Sequence, residues 1–213
     1  MKKKKDKVTI AILGPSKVDK MTIIKEFLNV QPINQFGGFR DFENYTIKVN
    51  DKEITYTLHL PLGNDEEYAN DLKDSAKSID GAIFVLDLDK EKPIDYAINS
   101  VGKFKTDEEN KLLQKLDISI ICINSDKKEN YAKIEEVEKI AKKGKLKCYI
   151  TSIETIKEDI KKMMENIIEG VYETKEKIEE YEKNEKNEKN EKFGGQKDVS
   201  NGDGCCHVGC IIH

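Results

Sequence analysis

Val8-Thr-Ile-Ala-Ile-Leu13-Gly14-Pro-Ser-Lys17-Val-Asp19-Lys20-Met21-Thr22-Ile-Ile-Lys-Glu-Phe-Leu28 is the stretch around which the rest of the chain is organised. Val8–Leu13 reads as a buried strand and Gly14 opens a turn. The residues after it form an amphipathic helix, because Ile23, Ile24, Phe27 and Leu28 recur at helical spacing. A strand, a Gly-led loop and a helix with a lysine near its start make a frame in which backbone N–H groups and a helix N-terminus can hold phosphate.

That frame has the layout of a P-loop, G-x-x-x-x-G-K-[ST], in which the lysine reaches the terminal phosphates and the hydroxyl holds Mg²⁺. Here Gly14 and Lys20 match, whereas Asp19 stands at the second glycine and Met21 at the hydroxyl. Half of the motif's chemistry is therefore missing. A carboxylate at Asp19, beside an anionic phosphate and without a glycine's backbone freedom, would cost a bound phosphate roughly 1–3 kcal/mol. Lys20 reads either as a phosphate contact or as a solvated lysine at a helix start.

The chain has 213 residues, a formal charge of −4 and 37% charged residues of both signs interspersed. That length suits one domain with a substantial core plus appendages. The charge balance argues against a nucleic-acid binder, whose footprint is a clustered basic face. Lys2 to Lys5 and Lys7 form a short basic run, either a solvated tail or a contact for an anionic membrane surface. Cys122 and Cys148 lie in apolar runs and read as small core residues, while Cys205, Cys206 and Cys210 fall near the end. Nothing in their spacing suggests a disulfide framework or a zinc site. The start lacks a signal peptide's apolar region of roughly 7–15 residues, and no apolar run approaches the roughly 18 needed to span a membrane. A cytoplasmic protein is expected.

Past the first helix, Val30 to Phe42 reads as loop. Tyr45–Val49 and Ile54–Leu60 alternate polar and apolar around Asn50-Asp51, a hairpin signal. A polar, helical segment then runs to about Ser78. Asp80 to Asp87 is a continuous apolar run suited to a central strand covered on both faces. Ile94 to Leu116 carries a helix, Ile118–Ile123 a strand, the stretch with Ile134, Val137, Ile140 and Ala141 a helix, and Leu146–Ile150 a further strand. The last helix has one apolar stripe, Ile156, Ile160, Met163, Met164, Ile167, Ile168 and Val171, which belongs to a core. From about Glu179 the composition turns to Glu, Lys and Asn, with Lys-Asn-Glu repeated three times between Lys183 and Glu191. That segment is expected to be a disordered or marginally helical tether.

Alternating strands and helices predict an α/β three-layer sandwich with a mainly parallel sheet and one antiparallel hairpin. Residues 1–7 form a basic tail, 8–175 the domain, 176–204 a charged, Gly-rich tether and 205–213 a Cys-rich end. Ligands of such sheets sit at the carboxyl ends of the strands, in the loops after Leu13, Leu60, Asp87, Ile123 and Ile150.

The order of elements, the partial P-loop and the tail together resemble the Ras superfamily of small GTPases, with the Rab branch closest by layout, over roughly Val8 to Val171. Residues 47–63 lie without a gap on the family's second and third strands, ending in W-D-T-A-G. Asp80–Leu88 looks like its fourth strand, and Cys148-Tyr-Ile-Thr151-Ser152-Ile153-Glu like its E-T-S-A-K motif. The resemblance implies a P-loop GTPase-like fold with a disordered C-terminal tail, and a GTP/GDP-binding switch in vesicle traffic or signalling. Its nucleotide-contacting positions fall on Gly14, Lys17, Asp19, Lys20, Met21 and Thr22, on Gly63, and on Asn124, Asp126, Thr151, Ser152 and Ile153. Of these, Gly14, Lys20, Gly63, Asp126 and Ser152 would carry what binding remains.

Several family positions are replaced. Leu60 stands at the Asp of D-x-x-G, Asn64 at the Gln that orients the attacking water, and the Mg²⁺-ligating switch Thr falls near Gly37. The base motif N-K-x-D is matched by Ile123-Asn124-Ser125-Asp126, or with one deletion by Asn124 without its Lys. Guanine selectivity is thereby weakened, Mg²⁺ has little support, and hydrolysis is expected to be negligible, because catalysis in this class is mostly charge neutralisation. A different class of function stands beside the switch: a nucleotide-independent pseudo-GTPase, whose switch-like loops (34–42 and 60–72) bind effector or regulatory proteins. A third reading is a binder of ATP or of Mg²⁺-free nucleotide.

Cys210-Ile-Ile-His213 has the C-a-a-X form at the very end of the sequence, with Cys205-Cys206 upstream. The expectation is prenylation of Cys210, with Cys205 or Cys206 carrying a second lipid because one chain gives only marginal membrane residence. The alternative is an unmodified tail. A lipidated chain would be a monomer held on the cytosolic face of a membrane.

Overall fold

The computed structural model describes residues 7–15, 18, 20–29, 39–49, 51–61, 78–90, 92, 94–95, 98–99, 115–124, 130–152 and 154–194. Among them run β1 (Lys7–Leu13), α1 (Lys20–Leu28), β2 (Phe39–Val49), β3 (Lys52–Pro61), β4 (Gly81–Asp87), β5 (Asp117–Asn124), α2 (Asn130–Gly144), β6 (Lys147–Ser152) and α3 (Ile156–Gly194). The strands form one six-stranded sheet in the order β2-β3-β1-β4-β5-β6. Only β2–β3 is antiparallel; the other four pairs are parallel. The architecture is α/β.

Strand periodicity explains the layering. Val8, Ile10 and Ile12 of β1, with Ile83 and Val85 of β4, feed one apolar cluster, while Ala11, Leu13, Ala82, Phe84 and Leu86 feed another. The first cluster is completed by Ile23 and Ile24 of α1 and by the α3 stripe from Ile156 to Tyr172. The second is completed by Val137 and Ala141 of α2. Strands buried on both faces read as continuous apolar runs, which is why β1, β4 and β5 stand out in the sequence.

Gly81 lets α3 approach β4, since a Cβ there would meet Val171 Cγ2 at 2.4 Å. Polar contacts fasten the same end of the sheet. Asp80 Oδ2 accepts from Thr9 N–H at 2.8 Å, and Lys175 Nζ reaches Asp80 Oδ1 at 3.0 Å and the Lys7 carbonyl at 2.7 Å. Tyr172 O–H donates to Glu176 at 2.7 Å, and Lys52 Nζ sits 3.1 Å from the same carboxylate.

Two boundaries differ from the sequence expectation. Strand β2 begins at Phe39, so residues 39–42 are strand rather than loop. The register advances from Phe42↔Leu58 to Tyr45↔Tyr56, one extra residue on β2, and Asn44 takes φ 61°. This bulge breaks the alternation that would have shown the strand's first part. The charged segment from Glu179, expected to be a disordered or marginally helical tether, is helical as far as Gly194. Glu and Lys are strong helix formers, and pairs such as Glu179–Lys183 at 4.0 Å support the turn. A helix already nucleated by packing extends at the smaller cost of propagation.

The chain divides into two compact units, Met1–Glu176 and Lys177–His213. In the second, Tyr181 is exposed. The helix expected to end near Ser78, most of that from Ile94 to Leu116, and the cysteine-rich end lie outside the described residues.

The α3 stripe dominates the first cluster, so Met164→Ala, at a fully buried site, is expected to cost about 2–5 kcal/mol. Lys175→Ala, at a side chain 32% exposed, should cost no more than about 1 kcal/mol. Urea unfolding midpoints of the two variants check the contrast.

Candidate functional site

The described candidate residues gather at the carboxyl ends of β1, β5 and β6. Strand β1 pairs with β3 on one side and β4 on the other. The chain goes through α1 to the β2–β3 side and later crosses to β4, so β1 is where the strand order reverses. In open α/β sheets the crevice at that reversal is the usual ligand position.

Gly14 leaves β1 with φ 149°, and a Cβ there would lie 2.4 Å from the Val85 carbonyl oxygen. Only glycine fits both the conformation and the gap. Beyond it the described residues bond to one another. Val18 N–H donates to the Pro15 carbonyl at 3.0 Å and Lys20 N–H to the Val18 carbonyl at 2.9 Å. The Lys20 ammonium donates to the carbonyls of Gly14 at 2.7 Å and Pro15 at 2.9 Å. The N–H groups of Val18 and Lys20 are thus engaged by carbonyls of the same segment. Met21 packs against the first apolar cluster, and Thr22 follows it in the first turn of α1.

At the end of β5, Asn124 is buried and lies opposite Ser152 in the β5–β6 register. Its Oδ1 accepts from Asn130 Nδ2 at 2.9 Å, and the same amide donates to Asp89 Oδ1 at 2.9 Å. Asn130 is fully buried at the start of α2, and its Oδ1 has no hydrogen-bond partner. With both amide hydrogens directed at acceptors, its orientation is fixed. Lys133 Nζ closes this corner on the Leu88 carbonyl.

At the end of β6, hydroxyls form a cluster with the first turn of α3. Thr151 Oγ1 donates to Asp159 Oδ2 at 3.0 Å and lies 3.3 Å from Thr155 Oγ1. Thr155 N–H donates to Ser152 Oγ at 3.1 Å, and Ser152 N–H donates to Thr155 Oγ1 at 3.2 Å. Thr155 also offers its carbonyl to the N–H groups of Glu158 and Asp159. Thr151 and Ser152 therefore serve the start of α3.

Sequence reasoning singled out Thr151 and Ser152 and missed Thr155 and Asp159. The signal was present, since Thr155-Ile-Lys-Glu158 has the S/T-x-x-E form of a capping box. Asn130 and Asp89 carried no such local signal. Lys17, Asp19, Gly63, Asp126 and Ile153, and the lipidation candidates Cys205, Cys206 and Cys210, lie outside the described residues.

Leu60 is a core residue and Met21 packs against the same apolar cluster, so neither side chain offers the oxygen that a hard cation takes. Among the described residues no group of three or more His, Cys, Asp or Glu side chains is placed to hold a metal. None of the described helices is long and apolar enough to cross a membrane. A scan of protein-family models returned no match, and a search of curated proteins found none.

Gly14→Ala tests the tightest contact of the site. The 2.4 Å overlap with Val85 and the unfavourable φ should together cost about 1–3 kcal/mol or more. The expected outcome is a lowered thermal midpoint whether or not nucleotide is added.

Proposed function

We propose that this chain is a small-GTPase-like protein, with the three-layer P-loop arrangement of that class, that has given up nucleotide-controlled switching. Its role is that of a membrane-tethered binding module for effector or regulatory proteins. The observation that carries this reading is the internal bonding of Val18 and Lys20 after β1. Lys20 and the N–H groups of Val18 and Lys20 are held by the carbonyls of Gly14, Pro15 and Val18, and Met21 and Leu60 belong to an apolar cluster. A nucleotide would have to displace those internal bonds without a metal to neutralise its phosphates. No hydrolytic step is assigned to any residue.

The second reading is a weak GTP/GDP switch. It is favoured by Gly14 and Lys20 keeping a shared contact at the strand reversal. Titration of natively purified protein with labelled GTP, GDP and ATP, with and without Mg²⁺, separates the two. The binding-module reading predicts no co-purified nucleotide and no saturable binding, and co-purified or sub-micromolar guanine nucleotide would establish the switch. Under the switch reading, Asp19→Gly combined with Met21→Ser should raise affinity steeply; under the binding-module reading it should leave the protein empty.

The membrane part of the proposal rests on Cys210-Ile-Ile-His213 with Cys205 and Cys206 upstream. One lipid gives marginal residence and two give stable anchoring. Changing all three cysteines to Ser should leave the domain folded and move it from the membrane pellet to the supernatant. Persistent sedimentation with membranes would overturn the anchor.

A further inference from the structure

The register of β5 and β6 sets two thiols on one face of adjacent strands. Ile120 lies opposite Cys148 and Cys122 opposite Ile150, so the cysteines occupy diagonal places on one face of adjacent parallel strands. Both are free, and both belong to the second apolar cluster. Cys122 is fully buried. Cys148, which the sequence suggested was a core residue, is only partly buried, because β6 is the last strand of the sheet.

We infer that Cys122 and Cys148 form a redox-responsive dithiol that a peroxide oxidises to an intrachain disulfide joining β5 to β6. The partly exposed Cys148 is the sulfur a peroxide meets, and the buried Cys122 is the resolving thiol. The difference in exposure sets this division of roles. The neighbouring Cys148 and burial push the Cys122 thiol up. The neighbouring Cys122 lowers the Cys148 thiol, against the opposing effects of burial and of Glu138.

The chemistry balances with peroxide as the sole oxidant. The Cys148 thiolate attacks one peroxide oxygen, forming an S–O bond as the O–O bond breaks. The departing hydroxide takes a proton and leaves as water, with Cys148 as a sulfenic acid. Cys122 then attacks the Cys148 sulfur, the S–S bond forms, the S–O bond breaks, and the hydroxyl leaves as a second water with the Cys122 proton. Two thiols are oxidised by two electrons and one peroxide is reduced to two waters.

Geometry makes this bond a switch. Diagonal positions of a strand pair lie about 7–8 Å apart, past the roughly 7 Å beyond which a disulfide forms only if the backbone moves. Because β5 and β6 are already paired, bridging requires a shift along the strand direction, and an edge strand held from one side is the strand able to move. A disulfide formed under such displacement is more easily reduced than a structural one. The movement reaches the ends of both strands, where Asn124 lies opposite Ser152. This inference is independent of whether the chain binds nucleotide.

The test uses the full chain carrying C205S, C206S and C210S, which removes the tail thiols. After hydrogen peroxide, intact mass should show the loss of two hydrogens. Non-reducing peptide mapping should show Cys122 joined to Cys148, and dithiothreitol should reverse both changes. Adding C148A should abolish the cross-link. Adding C122A should leave a Cys148 sulfenic acid that dimedone traps. Three results would overturn the proposal: both thiols surviving the treatment, Cys148 oxidising beyond the sulfenic acid without a cross-link while Cys122 is present, or cross-links found only between chains.

Discussion

Burial of β1 on every side is the constraint from which the rest of the structure follows. The strand is hydrogen-bonded to β3 and β4 at its two edges, and its side chains supply two apolar clusters on opposite faces. A strand in that position accepts almost nothing but aliphatic residues along its length. Where it ends, the neighbouring β4 carbonyl of Val85 leaves no room for a Cβ. Gly14 is the consequence, and the loop that follows starts from a direction set by the sheet.

Helix α3 answers the same constraint from outside. Its stripe from Ile156 to Tyr172 fills the first cluster, and Gly81 lets it come close to the start of β4. Lys175 then ties it to Asp80 and to the Lys7 carbonyl, at the end of the sheet away from the candidate site. Apolar burial and the polar clamp thus act on different parts of one helix. The burial carries most of the stabilisation, because a partly exposed ion pair contributes little.

These elements were legible in the sequence wherever one physical signal acted alone. The apolar runs of β1, β4 and β5 and the 3.6-residue period of α3 needed no information from distant residues. Residues 39–42 were hidden because the bulge at Asn44 inserts one residue into the alternation. The helix from Glu179 to Gly194 was hidden because high charge signals disorder, while Glu and Lys also favour helix once packing has nucleated it. The site shows the same division. Gly14 and Lys20 were legible from the frame of the loop, whereas the Asn130 amide is joined to Asp89 across 41 positions of sequence. No local pattern announces a partner that only the strand order brings near.

The polar groups at the strand ends carry one further argument about affinity. Lys20, Asn124, Thr151 and Ser152 each have hydrogen-bond partners within the chain. A ligand that captures such a group exchanges one hydrogen bond for another, and each exchange nets far less than the gross strength of the bond. Groups held ready without partners give up nothing on binding, which is how preorganised sites gain affinity. In this loop the carbonyls of Gly14 and Pro15 already accept hydrogen bonds from the lysine. A phosphate contact by Lys20 would thus exchange those two bonds for new ones. That exchange would take place beside Gly14, which the close approach of the Val85 carbonyl holds in place.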